Sequence, residues 1–446
     1  MQPYELTATE ASALIAARKL SCEELARSTL ARIEERDPVV RAWSYIDQDK
    51  VIRRARELDK TPAVSPLHGL TFGVKDVIQT VDMPTQQNSQ LYIDHQSGQD
   101  AACVAVVRHS GALVVGKTDT VEFASGGRMA ASRNPHNLAH TPGGSSSGSG
   151  AAVGDKQVQL AFGTQTGGSH IRPASFNGIY GIKPTHGAVS REGAKNYSHT
   201  LDTIGWYGRS VEDLQLVARE FRLLDAEFAK PVQLKGLKVG LYRSPAWELA
   251  DAYAREALFE AGRRLEAAGA IVTEITLPEP FARLDDAQQI VMRGEGRGSF
   301  LPEVLGPKRH MLAQHFLDIV GNSTKITPAK LVGAYDLAAE CRRLFDSQFG
   351  ASLDVVLTPS SPGEAPEGLA SSGNPVFNAM WTLLNVPCVG IPVGVSARAL
   401  PLGIQLVGPR YCDSQLLEIA LACAPAIHVH ENGKLTPLKV DAPALA

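Results

Sequence analysis

Thr141 to Arg191 reads TPGGSSSGSGAAVGDKQVQLAFGTQTGGSHIRPASFNGIYGIKPTHGAVSR, and two glycine–serine clusters stand in it. The first is Gly143-Gly144-Ser145-Ser146-Ser147-Gly148-Ser149-Gly150; the second is Gly163-Thr164-Gln165-Thr166-Gly167-Gly168-Ser169. An apolar-rich segment, Ala151 to Phe162, joins them. Read alone, a GGSSSGSG run matches a flexible linker. Its flanks oppose that reading. A linker separates domains and carries polar neighbours, whereas this run enters small apolar residues and then a second glycine turn. Glycine pairs ahead of a serine permit strained backbone angles and close approach to a ligand. They also leave backbone N–H groups free to converge on one point, as stabilising an oxyanion requires.

Upstream, an apolar run from Leu70 to Ile78 carries a single lysine, Lys75. Taken by itself Lys75 has two readings. One is an edge-strand residue whose amine snorkels to water. The other is a buried lysine with a depressed pKa, neutral enough to act as a base.

Together the three pieces resemble the amidase signature family of serine hydrolases. The matching residues are the lysine of Gly73-Val74-Lys75-Asp76-Val77, the turn GGSSSGS from Gly143, and GTQTGGS from Gly163, which continues to Thr185. Ser145 and Ser169 stand 24 positions apart, the spacing that family shows between its two catalytic serines. The resemblance spans nearly the whole chain, including GKTDTVEFA from Gly116, RNPHN from Arg133, VLTPSSPGEAP from Val356 and LPLGIQLVGP from Leu400.

The resemblance implies roles. Ser169 is the nucleophile, Ser145 the bridging serine, joined to Gly144 by a cis peptide bond, and Lys75 the base. The N–H groups of Thr166, Gly167, Gly168 and Ser169 form the oxyanion hole. Ala124, Ser125 and Gly126 line the acyl pocket, with Met129 as a further candidate. Ser146 and Ser147 brace the turn, with milder effects on substitution. Gln165 departs from the pattern, because many relatives carry aspartate there, paired with an arginine just after the nucleophile. Arg172 therefore lacks that partner and has two readings, a structural role or a contact to an anionic substrate group. Asn177 stands where relatives often have cysteine. No metal or organic cofactor is implied, and the substrate is a small amide or carbamate. A homodimer is common in the family.

Composition sets the class. The 446-residue chain is 44% hydrophobic and 20% charged, ordinary for a globular protein with a large core. A net charge of −3 argues against a nucleic-acid or anionic-membrane surface. No apolar run reaches the roughly 18 residues of a membrane helix. MQPYELTATEAS has neither a basic nor an apolar signal-peptide region. Six scattered cysteines without a CxxC fit free thiols in a reducing cytoplasm. Cys388 reads as a buried strand residue, and the histidines include no HExxH zinc motif.

The pattern predicts two helices over 7–37, the second opened by a Ser21–Glu24 capping box and ended by Asp37-Pro38, and a third over 48–59. From about residue 66, β-type runs alternate with helical ones: strands over 70–78 and 112–116, then strand, helix and strand over 237–241, 251–268 and 271–275. Buried runs at 354–357, 386–395 and 400–407 complete the sheet. That alternation predicts an α/β fold with a mixed, largely buried central β-sheet; the resemblance implies that helices cover the sheet on both faces. With the resemblance, we expect one domain over 1–446, with an N-terminal helical layer at 1–62, a catalytic core at 66–205 and a helical region at 281–350, which the resemblance implies is variable and shapes the substrate entrance.

The leading expectation is a cytoplasmic serine amidohydrolase acting on a carboxamide through Lys75, Ser145 and Ser169. A carbamate, urethane or ester hydrolase using the same residues comes second. An amidotransferase subunit is less favoured, because GTQTGGS differs from the GTDTGGS typical of that branch. A non-catalytic relative is opposed by all three positions being filled.

Overall fold

Thr7 and Ser21 each open a helix with a capping box: the hydroxyl accepts the N–H of the third residue on, whose glutamate accepts in return. The helices are α1 (Ala8–Ala16) and α2 (Cys22–Val40). Asp37-Pro38 does not end α2 as the sequence suggested. Pro38 falls in the last turn, where its missing N–H removes a single bond, and Arg41 N–H still reaches Asp37 O (2.9 Å). Arg41, at φ +57°, closes the helix. An edge strand, β1 (Trp43–Ile46), and α3 (Gln48–Asp59) complete this layer. The computed structural model describes residues 2–224, 230–350, 352–431 and 434–440.

The next segment supplies β2 (Thr71–Lys75), α4 (Ala102–His109), β3 (Leu113–Thr118), α5 (Ser147–Gly154), β4 (Leu160–Gln165), α6 (Ile171–Asn177), β5 (Tyr180–Lys183), β6 (Thr203–Gly208) and α7 (Val211–Glu220). Strand β2 is shorter than the apolar run around it. The chain turns straight after Lys75, whose carbonyl takes the N–H groups of Val77 (2.8 Å) and Ile78 (2.9 Å). The lysine thus stands at the carboxyl end of its strand. The first glycine–serine cluster is no linker: Ser147 to Val153 are buried and helical. A side chain at Gly148 would collide with the Ala42 carbonyl and the Asp119 backbone, so α5 can pack there only as glycine.

The remainder gives β7 (Lys238–Leu241), α8 (Ala252–Ala267), β8 (Ile271–Glu274), α9 (Leu284–Ser299), α10 (Leu301–Leu305), α11 (Gln314–Val320), α12 (Pro328–Asp346), β9 (Val355–Pro359), α13 (Ala379–Leu383), β10 (Cys388–Val395), β11 (Pro401–Val407) and α14 (Asp413–Ile427). Asp251 caps α8, and Gly269, at φ +100°, lies just beyond its end.

One eleven-stranded sheet runs in the order β1-β3-β2-β4-β6-β5-β10-β11-β9-β7-β8. It is mixed: β2 lies parallel to β3 and β4, and β7 parallel to β8 and β9, while β5, β6, β10 and β11 pair antiparallel. Alternate residues enter cores on opposite faces. Leu160 and Phe162 join α4, α7, α8 and α14, whereas Ala161 joins α2, α3 and α5. Val355 and Leu357 share the first core, and Val356 packs with α9, α12 and α13. Helices on both faces leave the inner strands almost wholly buried, which is why they read as largely apolar runs.

Candidate active site

The parallel pairing of β2 with β4 sets Val74 opposite Phe162, so the strands end side by side at Lys75 and Gln165. Lys75 has no exposed surface. Its Nζ lies 2.8 Å from Ser145 Oγ, 3.0 Å from Ser146 Oγ and 2.7 Å from Thr164 Oγ1. Three neutral hydroxyls surround the amine, and no carboxylate touches it among the described residues. Burial drives its pKa well below the usual lysine range, against only the more distant charge of Asp202.

Ser145 sits just ahead of α5, and its peptide bond to Gly144 is cis, as the resemblance implied. Both flanking carbonyls are held. Arg172 Nη2 donates to Gly144 O (2.5 Å), while Thr120 Oγ1 (2.9 Å) and Val121 N–H (3.4 Å) donate to Ser145 O. Arg172 is buried, meets no carboxylate among the described residues, and donates through Nε to Ser372 O (2.8 Å). Burial pulls its pKa down to about 10. Asn177 is also buried, its amide donating to Pro142 O (2.7 Å) and Pro173 O (2.8 Å).

Ser169 closes the turn after β4 and is half-buried. Its carbonyl accepts from Ser146 N–H (3.2 Å), which ties the two serine segments together. Among the described residues no hydrogen bond joins Ser169 Oγ to Ser145 Oγ. The turn itself is held by its oxygens. Gln288 Nε2 donates to Thr166 O (2.9 Å), Thr382 Oγ1 to Gly167 O (2.7 Å), and Thr166 Oγ1 to the buried carboxylate of Asp202 (2.6 Å). Among the described residues, the N–H groups of Thr166, Gly167, Gly168 and Ser169 donate to no protein acceptor. Four consecutive free N–H groups on a fixed turn are what an oxyanion requires. A side chain at Gly168 would collide with Asn378 Oδ1. Gln165 occupies the helix entrance, its Oε1 accepting the N–H groups of His170 and Ile171 (both 3.0 Å). That is a capping task an aspartate would share.

The proposed pocket residues are placed less decisively. Ser125 Oγ bonds His315 Nε2 (2.9 Å), and Gly126 abuts the same imidazole, so this loop meets α11. Ala124 is half-buried at φ +58°. Met129 contributes its carbonyl to Asn88 Nδ2 (3.2 Å). Asp202 and Thr382 escaped the sequence reading, while Thr164 and Gln288 entered it only as members of the second glycine–serine cluster and of the 281–350 helical region, without a role of their own. Only Thr164 carried a signal, as the residue two before Thr166 in the same motif; the others reach the turn from 36 to 217 positions away. Among the described residues no group of three or more His, Cys, Asp or Glu is placed to hold a metal ion.

The family model named Amidase matches residues 24–417. The chain belongs to the amidase family. The A subunit of the glutamyl-tRNA(Gln) amidotransferase from Symbiobacterium thermophilum is 32% identical to it, over 96% of this chain and 98% of the relative. The crystal structure of an amidase superposes with TM-score 0.85 at 24% identity, covering 95% of this chain and all of the other. Peptide amidase from Stenotrophomonas maltophilia gives TM-score 0.79 at 25% identity, over 99% of this chain and all of that one. Family and fold therefore agree with the resemblance read from the motifs. Among the described residues no helix is long and apolar enough to cross a membrane.

Proposed function

We propose that this amidase-family chain is a serine amidohydrolase that cleaves a carboxamide C–N bond through an acyl-enzyme. The observation that carries the reading is the fully buried Lys75 amine, ringed by three hydroxyls. A neutral amine donates two hydrogen bonds and keeps one lone pair. Ser146 and Thr164 are suited to take the two N–H groups, leaving the lone pair for the Ser145 hydroxyl. Ser145 passes its proton to Lys75 as it accepts one from Ser169, and Ser169 Oγ attacks the carbonyl carbon. The oxyanion settles on the free N–H groups of the 166–169 turn. The same relay run backwards protonates the leaving amine, and water then releases the acyl group. The Ser145–Ser169 hydrogen bond that the relay needs forms as substrate binds, when contacts of this kind tighten. Residues 66–205 carry this chemistry, and the helices of 281–350 shape its entrance. Carbamates and esters present the same carbonyl and are the next substrates to try.

The relatives that are A subunits of amidotransferases favour a second reading, in which the chain releases ammonia for a partner protein. Ammonia release by the purified chain alone, from a panel of small amides, carbamates and glutamine, separates the two, with hydroxylamine added to trap the acyl group as a hydroxamate. Hydroxamate from small amides supports the hydrolase. Turnover confined to glutamine and dependent on an added protein would replace it with the second reading.

A further inference from the structure

Strand β4 ends between two ionisable groups of opposite kind. On one side β2 brings Lys75, whose Nζ meets Thr164 Oγ1 (2.7 Å). On the other, β6 runs antiparallel with Thr203 opposite Gln165, which sets Asp202 beside Thr166. The two threonines are two positions apart, about 6.5 Å along an extended chain, so amine and carboxylate flank the end of a single strand. Asp202 is buried. One oxygen takes the Thr166 hydroxyl (2.6 Å); the other takes the N–H groups of Tyr197 (2.7 Å) and Ser198 (3.0 Å) and Arg191 Nη1 (3.2 Å). Four donors on two oxygens are the complement of a carboxylate. Burial raises its pKa, and the Thr166 hydroxyl, the Arg191 charge and the two N–H groups oppose the rise.

The other ionisable groups around the two are committed or neutral. Asp76, next to Lys75 in the chain, pairs with Lys117 (3.0 Å). Arg172 turns to Gly144 O and Ser372 O, and Lys183 to Val386 O and Pro184 O. Burial pulls the His170 imidazole down to about 3 and pushes the Tyr197 phenol up to about 12. Glu295 takes the hydroxyls of Ser198, Thr200 and Tyr335. The charge of Asp202 does bear on Lys75, against the effect of burial.

We propose that Asp202, backed by Arg191, is a positioning residue acting on both halves of the relay: it fixes Thr166 in the oxyanion turn and holds a negative charge near the Lys75 amine. A buried amine among hydroxyls is easily kept neutral but is a poor acceptor of a proton. A carboxylate across the strand strengthens that acceptance without occupying the lone pair that faces Ser145. The inference rests on the hydrolase reading for the reaction, whereas the protonation of Lys75 can be followed without one.

The test uses the full chain carrying carbon-13 at the lysine Cε, as wild type, Asp202→Asn, Arg191→Gln and Arg191→Lys, each checked for folding by circular dichroism. The Lys75 resonance is identified by its loss in Lys75→Met and followed with pH. Asp202→Asn removes the negative charge and should lower the pH at which Lys75 titrates by about one unit. Arg191→Gln strips that charge of its partner and should raise it by about half a unit, with Arg191→Lys close to wild type. Opposed shifts are what a merely loosened fold does not produce. The pH at which fluorophosphonate labelling of Ser169 reaches half its plateau should move with Lys75 in each variant. A Lys75 titration that stays fixed in both charge variants, or moves the same way in both, would overturn the inference. If Asp202→Asn does not fold, Arg191→Gln decides alone: an upward shift upholds the inference and no shift overturns it. Opposed shifts in a chain whose wild type leaves Ser169 unlabelled would uphold the hold of Asp202 on Lys75 and sink the hydrolase reading. A labelled Ser169 with an unmoved Lys75 would do the reverse.

Discussion

Lys75 is costly to bury as an ammonium, and the fold gives it hydroxyls in place of a counter-charge. Its folded pKa lies below the 10.5 of an unfolded chain. Between the lowered value and 10.5 the unfolded state holds the extra proton, so stability contributed through this group rises with pH over that window. Denaturant unfolding at several pH values should therefore show wild type gaining on Lys75→Met as pH rises from 6 toward 10. An unchanging difference would mean that the lysine stays charged. The same titration should appear in kcat/KM as a limb that climbs with pH and then levels. Lys75 was legible because a lone lysine in an apolar run either snorkels or is buried for a purpose, and the paired serine turns decided which. For Arg172 the sequence left two readings open and could not give its acceptors, because Gly144 O and Ser372 O are backbone carbonyls, joined by Ser372 Oγ from 200 positions away, and no side-chain pairing rule points to them.

At the scale of elements, the turn after β4 depends on groups that arrive from α9, α13 and the segment before β6. Gln288 is wholly buried and spends its amide on Thr166 O. Replacing it with leucine frees that carbonyl to rotate the peptide whose N–H faces the site. Gln288→Leu should lower kcat about fivefold to tenfold, the worth of one net hydrogen bond, while a fluorophosphonate still labels Ser169. An unchanged kcat would show that the turn holds itself. Helices and strands were read well wherever the pattern was clear, as at α3 and α8. The end of α2 was misread because a proline in the last turn does not break a helix whose next N–H groups still find carbonyls. The supports of the turn stayed hidden because they join residues far apart in the chain, which periodicity cannot pair.

Across the whole molecule, the sheet draws strands from Trp43 to Val407 into one layer, with the site at the adjoining ends of β2 and β4. Next to it, Lys117 and Asp76 form an ion pair (3.0 Å) with almost no exposed surface. Lys117 also donates to Thr85 Oγ1 (2.7 Å), and Asp76 accepts Gln86 N–H (3.1 Å), so the pair pins the 84–88 loop to the sheet. Lys117→Met leaves the carboxylate buried without its cation and should cost about 3–5 kcal/mol in unfolding free energy. A loss below 1 kcal/mol would mean that Asp76 is held neutral. The α/β class and the mixed sheet were legible from alternating patterns and buried runs, but the strand order was not, since it depends on long-range pairings such as β5 with β10.

The proposed reaction turns on Ser169 as the attacking group, activated by Lys75 and Ser145. Labelling with a fluorophosphonate, followed by peptide mass spectrometry, tests it on wild type, Ser169→Ala, Ser145→Ala and Lys75→Ala. A single adduct on Ser169 is expected, absent in Ser169→Ala, with labelling slowed by about 10³-fold or more when either activating residue is removed. An adduct on Ser145, or on Ser169 at an undiminished rate in Lys75→Ala, would contradict it.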